Sequence, residues 1–248
     1  TAGDTIWLDA GTYGGDTWEM ISATETAAVN LDTDNLALIG KDSGATVIDP
    51  AGAKTLSGLY GIYAANRVGL LIKNLGVTGA YEGVQWSNVD LSTISGDSIC
   101  SNGDYGIYFT TNSDSNTVSG NTLGFNSFDG FYINSGTNNT LSNNSANSNS
   151  GNGFSFVACS GNSLTSNTAK SNVYGIHLSG ASNNTVSGNT ASSNTRGMNL
   201  QTGANNNSLV RNVSASNAQG GIHIDGSDTN SLALNEFYGN ADGVNVLL

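Results

Sequence analysis

Tyrosines and carboxylates recur at matching positions of a short repeated phrase in the N-terminal half of this chain. The phrase is glycine, apolar residue, any residue, apolar residue. The third position of the phrase holds Tyr63, Gln85, Tyr108 and Tyr132. The one or two positions before its glycine hold Glu82, Asp104, Tyr105 and Asp129. Aromatic rings beside polar groups suit a sugar, because ring faces contact C–H surface while carboxylates bind hydroxyls. We predict a carbohydrate-binding patch of Tyr63, Gln85, Tyr105, Tyr108, Tyr132 and Asp129.

Two other interpretations of these residues stay open at this point. The tyrosines could form a ladder that only stabilises a sheet, because aromatic pairs on neighbouring strands stabilise each other. The carboxylates could be catalytic, because Glu82 and Asp129 are two repeats apart, which is about 9–10 Å for stacked strands. Inverting glycosidases hold their two carboxyl groups about 6.5–9.5 Å apart. Asp104 lies between the two in sequence and completes the candidate catalytic set.

A lyase is the less favoured enzyme. Such a reaction needs a base and a cation to hold an acidic sugar, and the range 76–169 contains neither Lys nor Arg. With 19 acidic residues in the chain, three on one face are also compatible with a solvated surface. We therefore favour binding without turnover and predict no cofactor.

The glycine phrase returns nine times between Gly61 and Val246, at spacings of 22 to 24 residues. Each period also contains regularly spaced asparagines, for example Asn116, Asn121 and Asn126, with apolar residues between them. Such a period over most of a chain is typical of a solenoid, in which each coil buries its apolar side by stacking on its neighbours. Each coil should contain three short strands separated by asparagine or glycine corners.

Alternation within the strands indicates which side chains face the interior. In the repeat that begins at Gly106, Ile107 and Phe109 should point inward and Tyr108 outward. Stacked coils are about 4.8 Å apart, so corner asparagines form columns whose amides can hydrogen-bond along the stack. Asparagine also tolerates the left-handed backbone of a sharp corner.

The asparagine pattern and the glycine phrase that follows it resemble the repeats of a known group of proteins. Asn184-Thr-Val-Ser-Gly-Asn189, followed by Gly197-Met-Asn-Leu200, resembles the repeats of the NosD-like group within the pectin-lyase-like superfold. The N-terminal stretches 3–13, 36–40 and 46–49 resemble the first coil of such domains. The resemblance implies an all-β, single-stranded right-handed parallel β-helix of about ten coils, with 22–24 residues per coil. It also implies a bacterial envelope or archaeal cell-surface protein, hence an extracellular, cell-surface or periplasmic location.

This resemblance is specific for fold and much less so for function, because the superfold includes lyases, hydrolases, epimerases, adhesins and scaffolds. We predict a β-helix rod with a structural, adhesive or glycan-binding role, as a domain or subunit of a larger surface assembly. The alternative is a polysaccharide-degrading enzyme, either an inverting glycoside hydrolase that uses Glu82, Asp104 and Asp129 or, less favoured, a lyase.

The range over which the repeat period is regular predicts the domain organisation. Residues 1–60 should form an irregular N-terminal coil and a cap-like segment, and residues 61–248 the regular repeats. Open coils at the ends of a solenoid expose unpaired backbone groups. We therefore expect that neighbouring domains or further copies of the chain cover the ends.

Charge excludes two classes of partner. The formal net charge is -12, with only seven Lys and Arg, which disfavours nucleic acid and anionic membrane surfaces. No apolar run approaches membrane-spanning length, so membrane insertion is not expected.

The cysteines and histidines indicate no metal site. Cys100 and Cys159 fall on different corners two coils apart, too far for a disulfide, so we predict two free thiols. His177 and His223 share one outward column but are two coils apart, about 9.6 Å, too far for both rings to bind one metal. We predict that both are ordinary surface histidines.

Overall fold

The computed structural model describes residues 3–14, 19–20, 26–50 and 57–247. Within these ranges every regular element is a β-strand and none is a helix. The chain winds through three parallel sheets in turn, so that each sheet receives one strand from each successive coil. The predicted cap-like segment within 1–60 falls partly outside the described residues.

Sheet I contains the strands that follow the repeat glycines, and it has eleven strands. They are Glu19–Met20, Thr26–Asn30, Leu59–Val68, Glu82–Asp90, Ile107–Thr110, Phe131–Asn134, Phe154–Val157, Tyr174–Ser179, Arg196–Gln201, Gly220–Asp225 and Asp242–Leu247. The first pairs antiparallel with the second, and all later neighbours pair in parallel.

Sheets II and III contain the strands on either side of the central corner asparagine, ten in each sheet. Sheet II comprises Thr5–Leu8, Ala37–Gly40, Leu71–Lys73, Thr93–Ser95, Thr117–Ser119, Thr140–Ser142, Ser163–Thr165, Thr185–Ser187, Ser208–Val210 and Ser231–Ala233. Sheet III comprises Gly11–Tyr13, Thr46–Ile48, Gly76–Val77, Ser98–Ile99, Thr122–Gly124, Ser145–Asn147, Thr168–Lys170, Thr190–Ser192, Val213–Ala215 and Glu236–Tyr238. These counts agree with the predicted solenoid of about ten coils.

Inward side chains form a continuous apolar core along the solenoid axis. Ile107 and Phe109 are fully buried, whereas Tyr108 between them is half-buried, as the alternation predicts. Phe109 stacks on Trp86 of the preceding coil, with ring centroids 4.9 Å apart. The same inward positions are filled on each coil, so each apolar residue packs on a counterpart one period away.

Glycine occupies the first position of each phrase for a steric reason. A Cβ placed on Gly106 would lie 2.5 Å from the carbonyl oxygen of Gly130 and 2.8 Å from Nδ2 of Asn126. Any side chain would therefore push neighbouring coils apart at this corner. The phrase begins with glycine because backbone and corner amide approach each other closely there.

The corner asparagines form the predicted columns. In the central one, the Asn121 amide donates through Nδ2 to Oδ1 of Asn144 at 3.0 Å and to the carbonyl of Ile94 at 3.0 Å. The backbone N–H of Asn121 also donates to Oδ1 of Asn144. The pattern continues through Asn167, and these amides are buried. Each asparagine thus satisfies its own polar groups and those of the next coil.

The two cysteines do not form a disulfide with each other. Cys100 and Cys159 are both free thiols, as predicted. No helix within the described residues has the length and apolar character needed to cross a membrane.

Candidate functional site

Two columns of side chains run along the outer side of sheet I. Column one holds the residue directly before each repeat glycine: Tyr60, Glu82, Tyr105, Asp129, Asn152, Tyr174, Arg196, Gly220 and Asp242. Column two holds the third residue of each glycine phrase: Tyr63, Gln85, Tyr108, Tyr132, Ser155, His177, Asn199, His223 and Asn245. Every predicted site residue except Asp104 lies in one of these columns.

Three of the predicted tyrosines form a compact cluster. The Tyr105 ring lies 4.9 Å from the Tyr108 ring and 4.8 Å from the Tyr132 ring, and Tyr108 contacts Tyr132 edge-on at 5.4 Å. Phe128, which the sequence did not single out, packs edge-on against Tyr105 at 5.3 Å and is 46% exposed. These four residues are called the tyrosine cluster below. The three tyrosines are half-buried and therefore keep part of each ring open to a ligand.

The remaining members of the predicted patch lie outside this cluster. Tyr63 stacks on Tyr60, with ring centroids 5.3 Å apart. Gln85 is only 9% exposed and occupies the coil between Tyr63 and Tyr108. The structure therefore brings Tyr105, Tyr108 and Tyr132 together and leaves Tyr63 two coils away from Tyr108.

Asp129 lies next to the tyrosine cluster, where its charge acts on Tyr105 and Tyr132, and it is almost completely buried. Its Oδ1 accepts a hydrogen bond from the backbone N–H of Asn152, whereas its Oδ2 is buried without a hydrogen-bond partner among the described residues. Burial raises the pKa of Asp129 to about 6, and the nearby charge of Asp104 adds to this, although the Asn152 backbone N–H and the nearby side chains of Asn152 and Ser155 oppose it. Asp129 can therefore hold a proton in mildly acidic solution.

The other two predicted carboxylates differ from Asp129 in their surroundings. Asp104 is half-buried, and burial raises its pKa while a hydrogen bond with Tyr81 lowers it. Glu82 is 7% exposed, and its charge contributes to the raised pKa of Tyr81, whose largest cause is burial. Asp104 therefore interacts with both Asp129 and Tyr81, and Glu82 interacts with Tyr81.

His177 is not the ordinary surface histidine that we predicted. Its ring is half-buried and lies edge-on to Tyr174 at 5.3 Å. Its Nδ1 is 3.5 Å from both Oγ of Ser155 and Nδ2 of Asn152. Burial lowers the pKa of His177 to about 4, so the imidazole is neutral at pH 7. The prediction failed because exposure depends on how neighbouring side chains fill the surface, which an outward strand position does not specify.

Arg196 lies next to Tyr174 in column one. Its guanidinium is 5.7 Å from the centre of the Tyr174 ring, which is a cation–π distance. It donates from Nη1 to Oδ1 of Asn199 at 3.0 Å and from Nε to Oε1 of Gln219 at 3.1 Å. These contacts hold the charge at a defined position on the face. Arg196 is not among the predicted site residues, because it lies outside the range 76–169 in which a lyase's cation was expected.

A cavity of about 240 Å³ opens beside Arg196. Its lining comprises Arg196, Ala218, Gln219, Gly220, His223, Ala241, Asp242 and Asn245. His223 is 8% exposed, so this histidine is also more buried than predicted. Its pKa is lowered by burial and then by the charge of Arg196, while Asp225 opposes the change. The described residues contain no group of three or more His, Cys, Asp or Glu side chains that could hold a metal ion.

A comparison with protein families identifies the architecture. A family model described as a right-handed beta helix region matches residues 41–191 and 174–248. The chain belongs to the right-handed β-helix family. The match covers most of the described coils and supplies the handedness that the resemblance implied. It does not extend to the NosD-like group, which stays a resemblance.

Solved structures of low sequence identity share this fold. A Paenibacillus alginate lyase superposes with a TM-score of 0.79 at 16% identity, over 100% of this chain and 93% of that one. The A-module of an Azotobacter vinelandii mannuronan C-5 epimerase gives 0.62 at 16% identity, over 98% and 88%. A periplasmic alginate epimerase gives 0.58 at 18% identity, over 88% and 60%. A search of curated proteins found no match. Identities this low demonstrate a shared β-helix and nothing about activity.

Proposed function

We propose that this protein binds a polysaccharide along the outer face of sheet I, with the tyrosine cluster as the main contact. The observation that carries the proposal is the set of mutual ring contacts, 4.8 to 5.4 Å, among Tyr105, Tyr108 and Tyr132 on a partly exposed surface. Aromatic rings fixed by their neighbours lose little conformational entropy when a ligand packs on them. Such a platform suits the C–H surface of sugar rings.

Polar groups beside the cluster can orient a bound sugar. Asp104 is half-buried at its edge and is able to accept hydrogen bonds from hydroxyl groups. Asn152 continues column one on the next coil, is partly exposed and adds an amide group, whereas Ser155 in column two is buried. A mixture of ring surface and a few polar groups is typical of sites for small polar ligands.

The names of the structural neighbours support this substrate class. The alginate lyase and the two epimerases are named for reactions on polysaccharides or their building units. Sequence identity to each of these proteins is below 20%. Their names therefore support a polysaccharide ligand in general and do not specify which polysaccharide it is. One of them is named as periplasmic, which supports an extracellular, cell-surface or periplasmic location for this chain.

A second candidate function is catalysis on the bound polysaccharide. The observation that favours it is the buried, unpartnered Oδ2 of Asp129 next to the cluster. With a pKa of about 6, Asp129 can donate a proton as a general acid. The predicted hydrolase set of Glu82, Asp104 and Asp129 remains part of this candidate. Arg196 also supplies a cation of the kind whose absence from 76–169 disfavoured a lyase.

Roles as a structural rod, an adhesin or a self-assembling subunit are compatible with polysaccharide binding. Assembly would involve the end coils, where Trp7 is 73% exposed and Val244 is 51% exposed.

One experiment separates binding from turnover. The purified protein is passed over immobilised neutral and acidic polysaccharides, and the same polysaccharides are assayed for new reducing ends and unsaturated products. Retention without product supports the binding proposal, and product supports the second candidate. Neither retention nor product on any member of the panel contradicts both.

A further inference from the structure

Column one has a gap at Gly220. The other eight positions of the column carry side chains, from Tyr60 to Asp242. A Cβ built on Gly220 would meet no atom closer than 3.8 Å, so the space above this residue is open. The gap forms the floor of the cavity of about 240 Å³.

Arg196 and Asp242 form opposite walls of this gap. In the register of sheet I, Arg196 pairs with Gly220, and Gly220 pairs with Asp242. The two charged residues are therefore two strand spacings apart, about 9.6 Å along the axis. Because Gly220 has no side chain, the space between these two residues stays open and belongs to the cavity of about 240 Å³.

The charge of Arg196 is available to a ligand. Its two hydrogen-bond partners, Asn199 and Gln219, are neutral amides that position the guanidinium without neutralising it. Among the sheet I strands from Glu82 onward, Arg196 is the only Lys or Arg. A guanidinium held in one orientation suits an anionic group with two or more oxygens, because its N–H groups form a fixed fork.

The remaining lining residues are suited to hydroxyl groups. Asp242 is exposed and can accept hydrogen bonds. Asn245 continues column two beyond His223 and offers both a donor and an acceptor. His223 also lines the cavity and is 8% exposed. The cavity thus combines one anion-binding group with several groups that bind hydroxyls.

We propose that this cavity, called the Gly220 pocket, binds one acidic sugar residue of the polysaccharide, with its carboxylate or sulfate group on Arg196 and its hydroxyl groups on Asp242 and Asn245. The proposal rests on the proposed function, because the pocket lies on the same face as the tyrosine cluster. From Tyr132 to His223 the register advances four strands, about 19 Å. One extended chain with an acidic residue several sugars away from the stacked one could occupy both sites.

Single sugars test the pocket separately from the polysaccharide. The ring protons of His223 are followed by NMR while sodium glucuronate, glucose 6-sulfate or glucose is added. We expect saturable shifts with glucuronate, with glucose 6-sulfate or with both, and none with glucose. The comparison of the two acidic sugars decides between a carboxylate and a sulfate.

Two variants locate the binding. Gly220→Leu fills the pocket without altering Arg196, and Arg196→Gln keeps a polar side chain without the charge. Each should weaken acidic-sugar binding at least tenfold. Ser192→Leu, on the outer side of sheet III, adds the same side chain elsewhere and should leave binding unchanged. If Gly220→Leu unfolds, as shown by a lost cooperative transition, Arg196→Gln still tests the proposal.

The outcomes separate the pocket from the proposed function. If polysaccharides are retained but neither acidic sugar shifts His223, the Gly220 pocket proposal is wrong and the tyrosine cluster proposal stands. If an acidic sugar binds but no polysaccharide is retained, the polysaccharide part of both proposals is wrong. Equal shifts with glucose and glucuronate would also overturn the proposed role of Arg196.

Discussion

Asp97 occupies the position in the central asparagine column that Asn121 fills one coil later. The backbone N–H of Asp97 donates to Oδ1 of Asn121 at 2.9 Å, and Oδ1 of Asp97 accepts from the backbone N–H of Leu75 at 2.7 Å. Asn121 continues the column with an Nδ2 donor, whereas a carboxylate has none. As a result, Oδ2 of Asp97 is buried without a hydrogen-bond partner among the described residues.

Replacing Asp97 with asparagine should stabilise the protein at pH 8. Burial raises the pKa of Asp97 to about 7, although the nearby backbone N–H groups of Leu75 and Ser95 oppose this, so the carboxylate is buried and charged at pH 8. The variant restores the missing donor, and we expect the free energy of unfolding to rise by about 1–3 kcal/mol. Urea denaturation of both proteins measures the difference.

The benefit of Asp97→Asn should depend on pH with a defined sign. The folded-state pKa of about 7 lies above the ordinary value of 3.8, so protonated Asp97 stabilises the fold below about pH 4. That stabilisation is lost as pH rises through about 7. The variant should therefore gain less over the parent at pH 4 than at pH 8. An equal gain at both pH values would show that Asp97 does not titrate in this range.

Replacing Asn189 with leucine should destabilise the solenoid. Oδ1 of Asn189 accepts from the backbone N–H and Nδ2 of Asn167, and its Nδ2 donates to the carbonyl of Leu164 and to Oδ1 of Asn212. Leucine leaves these buried groups unpaired, at a cost of about 1–3 kcal/mol.

A matched control for Asn189→Leu is Asn134→Leu. Asn134 is half-buried at the end of a sheet I strand, and its side chain accepts only a local hydrogen bond from Ser135. We expect a change within about 0.5 kcal/mol. Thermal or urea unfolding that shows the same loss for both variants would contradict the importance of the column.

Removing rings from the tyrosine cluster should weaken polysaccharide retention. Tyr108→Ala or Tyr132→Ala removes one ring surface and disturbs its neighbours, and we expect about five- to thirtyfold weaker binding, from about 1–2 kcal/mol per ring. Affinity electrophoresis in gels that contain the retained polysaccharide measures the effect. Tyr238→Ala, which removes a 58% exposed tyrosine from sheet III, is the control and should retain the parent affinity.

Asp129→Asn distinguishes binding from catalysis. In the binding proposal the parent releases no product, and this variant changes retention little because ring contact supplies most of the affinity. In the catalytic candidate the parent releases product and the variant lowers the rate by about 10² to 10⁴, with retention preserved. The parent rate should also fall as pH rises above about 6, because Asp129 loses its proton. Product release that Asp129→Asn does not affect would exclude Asp129 as the acid.

The sequence by itself determined the solenoid and the order of its surface columns. In a stacked coil, the neighbour of a residue in space is its counterpart one period away, so spacing translates directly into contact. The period of 22 to 24 residues therefore predicted that Tyr108 pairs with Tyr132, that Asn121 bonds Asn144, and that Ile107 faces the core.

Only the tertiary structure decided how deep each outward side chain lies and what it contacts. His177 and Tyr108 occupy the same column and read alike in sequence, yet the His177 ring nitrogens are enclosed by Ser155, Asn152 and Tyr174. Likewise, the sequence does not show that Arg196, held by hydrogen bonds to Asn199 and Gln219, lines a cavity together with Gly220. Burial and charge at a site depend on the rotamers and packing of several coils together, and a repeat pattern specifies positions without specifying these.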